Sequence, residues 1–134
     1  MMTSDYRNLK VWQKAMELTL EIYSLVRHLP KEETYCLSDQ MRRAAVSVPS
    51  NIAEGHGRAS HKDFINFLSI SRGSLLELET QLEICNRLKY FDERQSENAR
   101  ELLIEISKML NSLISYRSTL LPQKPAQKKS TQNI

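Results

Sequence analysis

The sequence predicts an all-α fold, an antiparallel up-down-up-down four-helix bundle. Apolar residues recur at steps of three and four in four separate segments that fill nearly all of the chain before Leu121. Only three glycines and four prolines interrupt the chain, and no run alternates β-branched with polar residues as a strand would. Short connections between successive helices make each one antiparallel to the last. At 134 residues the chain fits one domain. On folding it buries very roughly two-thirds of its unfolded surface.

The first helix runs from about Asn8 to His28. Leu9, Trp12, Met16, Thr19, Tyr23 and Val26 form one heptad seam, and Val11, Ala15, Leu18, Ile22, Leu25 and Leu29 form another about 100° away. Two adjacent seams predict contact with more than one neighbouring layer. Pro30 and the polar Lys31–Thr34 end this helix. The second helix starts near Leu37 and stops at Gly55-His56-Gly57, with Leu37, Met41, Ala44, Val48 and Ile52 on its apolar face. Pro49 lies inside it, lacks a backbone donor and crowds the turn before it, so a kink or short break is expected there.

Ser60 and Asp63 resemble a capping box and open the third helix, which runs to about Leu88. Its seam is Phe64, Leu68, Ser71, Leu75, Leu78, Leu82 and Cys85. Asp92 and Gln95 cap the fourth helix, whose seam runs from Ala99 through Leu102, Ile106, Met109, Leu113 and Tyr116 to Leu120, with Leu103, Leu110, Ile114 and Leu121 beside it. Residues 1–121 are therefore read as the bundle domain. Residues 122–134, polar and rich in Pro, Gln, Lys, Ser and Thr, are read as a disordered basic tail.

Charge narrows the function. The net charge of +3 comes from Lys124, Lys128 and Lys129, and the rest of the chain carries equal numbers of acids and bases. A uniformly basic surface is not indicated. Charge is nevertheless segregated: residues 77–105 hold eight acids and four bases, residues 38–76 five bases and three acids. Cys36 and Cys85 have no metal-type spacing and read as reduced thiols. Charged residues throughout the first twenty positions exclude a secretory apolar region, and no apolar run reaches membrane-spanning length, so the expected compartment is the cytoplasm.

Catalytic signatures are missing. His28, His56 and His61 sit at helix ends, no Glu-x-x-His, H-E-x-x-H or Cys-x-x-Cys occurs, and no glycine-rich phosphate loop is present. No catalytic residue, metal or cofactor is assigned, and the chain is read as a non-enzyme. The sharpest feature is polar. Gln40, Arg43, Ser47, Ser50, Asn51 and Glu54 share a sector of about 100° beside the second helix's apolar face. Arg72 and Glu79 flank the third helix's seam. The reading preferred here is a structural network of Gln40, Arg43, Ser47, Asn51, Glu54, Arg72 and Glu79. In it Arg43 and Arg72 pair with Glu54 and Glu79, and Asn51 bonds the backbone that Pro49 leaves open. A binding or catalytic pocket and an oligomer interface are the alternatives. Ser69, Ser71, Gly73 and Ser74 permit close helix approach, within the chain in the preferred reading or between subunits in the other.

These same residues carry a family resemblance. Leu9-Lys-Val-Trp-Gln-Lys-Ala15, Gln40-x-x-Arg-Ala-Ala-x-Ser47, Asn51-Ile-Ala-Glu-Gly55, Phe67-Leu68 and Arg72-Gly-Ser-x-x-Glu-Leu-x-x-Gln-Leu82 resemble the 23S rRNA intervening-sequence protein family over about residues 6–120. The resemblance implies a bundle that assembles as a ring-like homopentamer, similar in fold to the accessory protein of diversity-generating retroelements, which binds nucleic acid and a reverse transcriptase. It supplies no catalytic residues. The expectation is a non-enzymatic oligomer that binds structured RNA or DNA, or a nucleic-acid enzyme, through Arg42, Arg58, Lys62, Lys124, Lys128 and Lys129. Two other readings stand beside it: a protein-binding scaffold with no nucleic-acid role, and, weakest, a small-molecule enzyme using Arg43, Glu54, Arg72 and Glu79.

Overall fold

The structure, a computed structural model, describes residues 5–122. Four helices account for most of them: α1 (Lys10–Leu25), α2 (Leu37–His56), α3 (His61–Arg87) and α4 (Glu93–Thr119). α1 packs on α2 and α4, and α3 packs on α2 and α4, while the diagonal pairs do not meet. Side-chain bonds set the sense. Ser71 reaches Val48 while Cys85 reaches Met41, so α2 and α3 run antiparallel; Arg72 to Asn111 and His61 to Arg117 do the same for α3 and α4. The expected bundle is therefore present. The tail expected beyond Pro122 lies outside the described residues.

The two seams of α1 resolve into different roles. Val11, Ala15, Leu18, Ile22 and Leu25 are buried in the common core. Of the other seam, Thr19 and Val26 are buried, whereas Met16 and Tyr23 face outward. The helix is also shorter than its pattern. Leu9 is extended and separates α1 from a 3₁₀ turn at Tyr6–Asn8, capped by the Asp5 carboxylate, and a second 3₁₀ turn covers Val26–His28. In the connection to α2, Glu33 accepts a hydrogen bond from the Tyr90 hydroxyl at 2.9 Å, which ties this loop to the α3–α4 turn.

Of the kink or short break expected at Pro49, the break does not occur: α2 is helical from Leu37 to His56 with Pro49 inside it. The carbonyl that a proline at position 49 leaves without its helical donor is that of Ala45. Thr19 of α1 supplies a substitute, its Oγ1 donating to Ala45 O at 3.1 Å as well as to Ala15 O at 2.8 Å. Asn51, expected to serve that role, instead donates to the Ser47 carbonyl at 2.8 Å and the Ser47 hydroxyl at 2.9 Å.

The close α2–α3 contact follows from small residues. Gly55, Ala44 and Ser71 are buried between the two helices' larger side chains, and the Ser47 and Ser74 hydroxyls meet at 2.8 Å. Gly73 is different. It faces outward, and a Cβ there would meet nothing within 4 Å. Gly73→Ala should stabilise the chain by about 0.5–1 kcal/mol, the usual cost of glycine inside a helix, seen as a higher urea midpoint at unchanged slope.

Helix ends follow local chemistry. Asp92 and Gln95 form a complete capping box at α4, whereas Ser60 accepts from Asp63 N–H without the reciprocal bond. α3 closes in a Schellman arrangement, with Tyr90 N–H to Cys85 C=O and Lys89 N–H to Asn86 C=O. Lys89 occupies the left-handed position at φ 61° where glycine is the common choice.

Candidate nucleic-acid interface

The polar sector of α2 does not form the expected arginine–glutamate network. Arg43 pairs with Asp39 at 2.9 Å, Glu54 pairs with Arg58 at 2.6 Å, and Arg72 donates to Asn111 at 3.1 Å. Gln40 and Glu79 are exposed, and Glu79 lines a groove between α3 and α4. The cause is the tight α2–α3 approach. Space between the helices admits only short side chains, so Ser47, Asn51, Ser71 and Ser74 occupy it. The long charged groups turn outward: Arg43 and Glu54 take partners one helical turn away, and Arg72 reaches Asn111 on α4.

The predicted contact residues separate into two places. Arg42 sits near the start of α2 and donates to the Thr34 carbonyl at 3.3 Å. Arg58 and Lys62 lie at the opposite end, about 24 Å further along by helix rise. Lys124, Lys128 and Lys129 lie outside the described residues.

The end with Arg58 and Lys62 gathers more than its sequence neighbourhood discloses. Each of three arginines lies against an aromatic ring. The Arg58 guanidinium sits 5.0 Å from the Phe67 centroid, that of Arg117 4.7 Å from Phe64, and that of Arg7 5.2 Å from Tyr6. Tyr6 packs edge-on to Trp12, and His56 edge-on to Phe64. Arg117 also donates to His61 Nδ1 at 2.7 Å, which makes that nitrogen the acceptor of the ring. Antiparallel topology brings these groups together, because the starts of α1 and α3 and the ends of α2 and α4 share one end of the bundle. Its bases are Arg7, Lys10, Arg58, Lys62 and Arg117; its acids are Asp5, Glu54 and Asp63. α4 ends here, so the chain carrying the three tail lysines continues from this point.

Arg117 and His61 were not among the residues the sequence singled out. Their partnership spans 56 positions, and no local spacing reveals it. Phe64 and Phe67, three apart and just after Arg58 and Lys62, are the one signal that pointed here.

Residues 7–112 match the family described as 23S rRNA-intervening sequence protein. The chain belongs to this family. Among solved structures, it is similar to the crystal structure of a protein with unknown function from the S23 ribosomal protein family of Bacteroides thetaiotaomicron. That likeness has 33% identity and a TM-score of 0.72, and it covers 78% of this chain and 97% of the other. Curated proteins yield no match. The family match begins after Tyr6 and ends before Arg117, so one partner of the Arg7–Tyr6 contact and one of the Arg117–Phe64 contact lie outside the matched span.

Other chemistry in this family member is sparse. Cys36 and Cys85 are both free. Burial, with a smaller contribution from Glu33, pushes the Cys85 thiol up to about 11, so it stays protonated and behaves as an apolar side chain against Met41. Among the described residues, no three His, Cys, Asp or Glu side chains come together as a metal set, and no helix is long and apolar enough to cross a membrane.

Proposed function

We propose that the protein is a non-enzymatic, oligomeric cytoplasmic module that binds structured RNA through the end of the bundle carrying Arg7, Arg58, Lys62 and Arg117. The three arginine–aromatic stacks at that end support the reading most directly. A guanidinium held over a ring gives up little further side-chain freedom on binding, and N–H groups not already paired can reach phosphate oxygens. A ring assembly, pentameric as the family resemblance implies, multiplies these ends and raises avidity without new contacts.

The test is fluorescence anisotropy of a hairpin RNA at two salt concentrations, about 50 and about 200 mM. Affinity should fall steeply with salt, by a log–log slope of about 0.7–0.9 for each phosphate neutralised. Arg58→Glu with Lys62→Glu should weaken binding at least about tenfold, and Arg42→Glu, at the far end, should change it little. Low-salt affinity no better than that of a neutral polymer control would overturn the proposal.

The balance of acids and bases in residues 1–121 favours a second reading, a protein-binding scaffold. Pull-down from native lysate separates the two: nuclease-sensitive nucleic acid supports the first, and a recurrent protein partner in its absence supports the second.

A further inference from the structure

The apolar seam of α4 outruns the core. Ala99, Leu102 and Ile106 are buried, Met109 and Leu113 are half-buried, and Tyr116 and Leu120 are 61% and 44% exposed. The pairing of α1 with α4 explains where burial stops. Lys14 and Glu105 meet at 3.7 Å, so in this antiparallel pair Lys10, the first residue of α1, is level with Met109. Beyond that level the chain before α1 turns away: its 3₁₀ turn packs on α2 and, among the described residues, does not meet α4. The last two turns of the seam therefore have no turn of α1 opposite them. They border a shallow hollow of about 440 Å³ lined by Lys108, Met109, Ser112, Leu113 and Tyr116.

Charge around this hollow has one sign. Residues 106–134 hold five bases and no acid. The acids at its edge are occupied, because Glu105 and Glu17 share Lys14 at 3.7 and 3.6 Å. Lys10 and Lys108 form no ion pair among the described residues. Aromatic rings are unevenly placed as well. Tyr23, Tyr35 and Tyr116 are the exposed ones among the described residues, and Tyr23 and Tyr35 belong to the other end of the bundle. At the basic end Tyr6, Phe64 and Phe67 each carry an arginine already. Tyr116, one turn from the end of α4 and next in sequence to Arg117, is the ring left open.

We infer that this hollow takes an unpaired base of the RNA, stacked on the Tyr116 ring over Leu113 and Met109, with Lys108 and Lys10 placed for the phosphates beside it. The inference rests on the RNA reading above and specifies its substrate: RNA with a single-stranded loop or bulge, not an uninterrupted duplex. Every base has a flat π-face that an exposed ring can stack on, whereas in a duplex neighbouring bases cover those faces. The seam needs an apolar surface to bury against and the lysines need anions close by, and a nucleotide supplies both. An apolar partner helix would cover the strip and leave Lys10 and Lys108 unanswered. Ser112, at the rim, offers a hydroxyl to a base edge or a 2′-hydroxyl.

Fluorescence anisotropy at one low salt concentration tests this with three RNAs: a hairpin with unpaired loop bases, the same hairpin with an abasic loop, and a blunt duplex with the same number of phosphates. The natural chain should bind the first at least about fivefold more tightly than the other two. Tyr116→Ala should lose that margin without weakening the abasic hairpin or the duplex. Tyr116→Phe keeps the ring and should keep the margin. The side chain is exposed, so helicity and Tm should hold in both variants. Arg58→Glu with Lys62→Glu should instead weaken all three RNAs alike, since those residues meet phosphates. Equal affinity for the three RNAs, or a Tyr116→Ala variant that keeps the margin, would overturn this inference and leave the RNA reading standing. A natural chain that binds none of the three would overturn both.

Discussion

Gly55→Val is expected to cost about 3 kcal/mol of unfolding free energy, measured as a fall in urea midpoint at unchanged slope. The reason is the spacing of α2 and α3. A Cβ at position 55 would stand 2.6 Å from Phe67 Cβ and 2.9 Å from Phe64 Cδ1. Phe67 Cβ is anchored to the backbone of α3, so rotamer change cannot relieve the contact and the helices must part. Valine adds two methyl groups to that overlap. Its better helix propensity returns well under 1 kcal/mol, so overpacking wins. The effect should reach the basic end too, because Phe64 and Phe67 are the rings under Arg117 and Arg58. The RNA affinity proposed for that end should therefore fall together with stability. A stability within about 0.5 kcal/mol of the natural chain, the usual range of surface substitutions, would show that Gly55 does not set the helix spacing.

That glycine shows what kind of information the sequence carries. Gly55 reads locally as a helix stop, and α2 does end one residue later. Its larger role, admitting Phe64 and Phe67, involves a different helix and has no local signature. The same division runs through the molecule. The Asp92–Gln95 capping box and the buried seam of α3 follow from spacings of three and four, and both are present. The pairing of Arg43 and Arg72 with Glu54 and Glu79 depends on how near α2 and α3 come, and small residues bring them too near for it. Fold class was legible because periodicity is local. The Arg58–Phe67 and Arg117–Phe64 contacts were not, because they form only where the end of one helix meets the start of another. The double seam of α1 was legible as a pattern only. Burial separates its core line from the line that α2 covers in part and leaves open at Met16 and Tyr23.

Thr19→Val carries the same lesson into energetics and should destabilise the chain by about 1–2 kcal/mol. The substitution keeps the β-branch and nearly the same volume, so packing and helix propensity change little. What it removes is the hydroxyl donor to Ala45 O, a carbonyl of a fully buried residue whose helical donor position is Pro49. The loss should stay below the full price of an orphaned carbonyl, because the hydroxyl proton is already shared with Ala15 O, the closer acceptor. A double-mutant cycle isolates the effect. Pro49→Ala returns a backbone N–H at the position that would bond Ala45 O, so Thr19→Val should become nearly neutral in that background, with a coupling of about 1 kcal/mol. Urea denaturation of the natural chain, the two single variants and the double variant provides all four corners. If Thr19→Val costs the same with alanine at position 49 as with proline, the hydroxyl does not replace the missing donor, and α2 must stay unbroken for another reason.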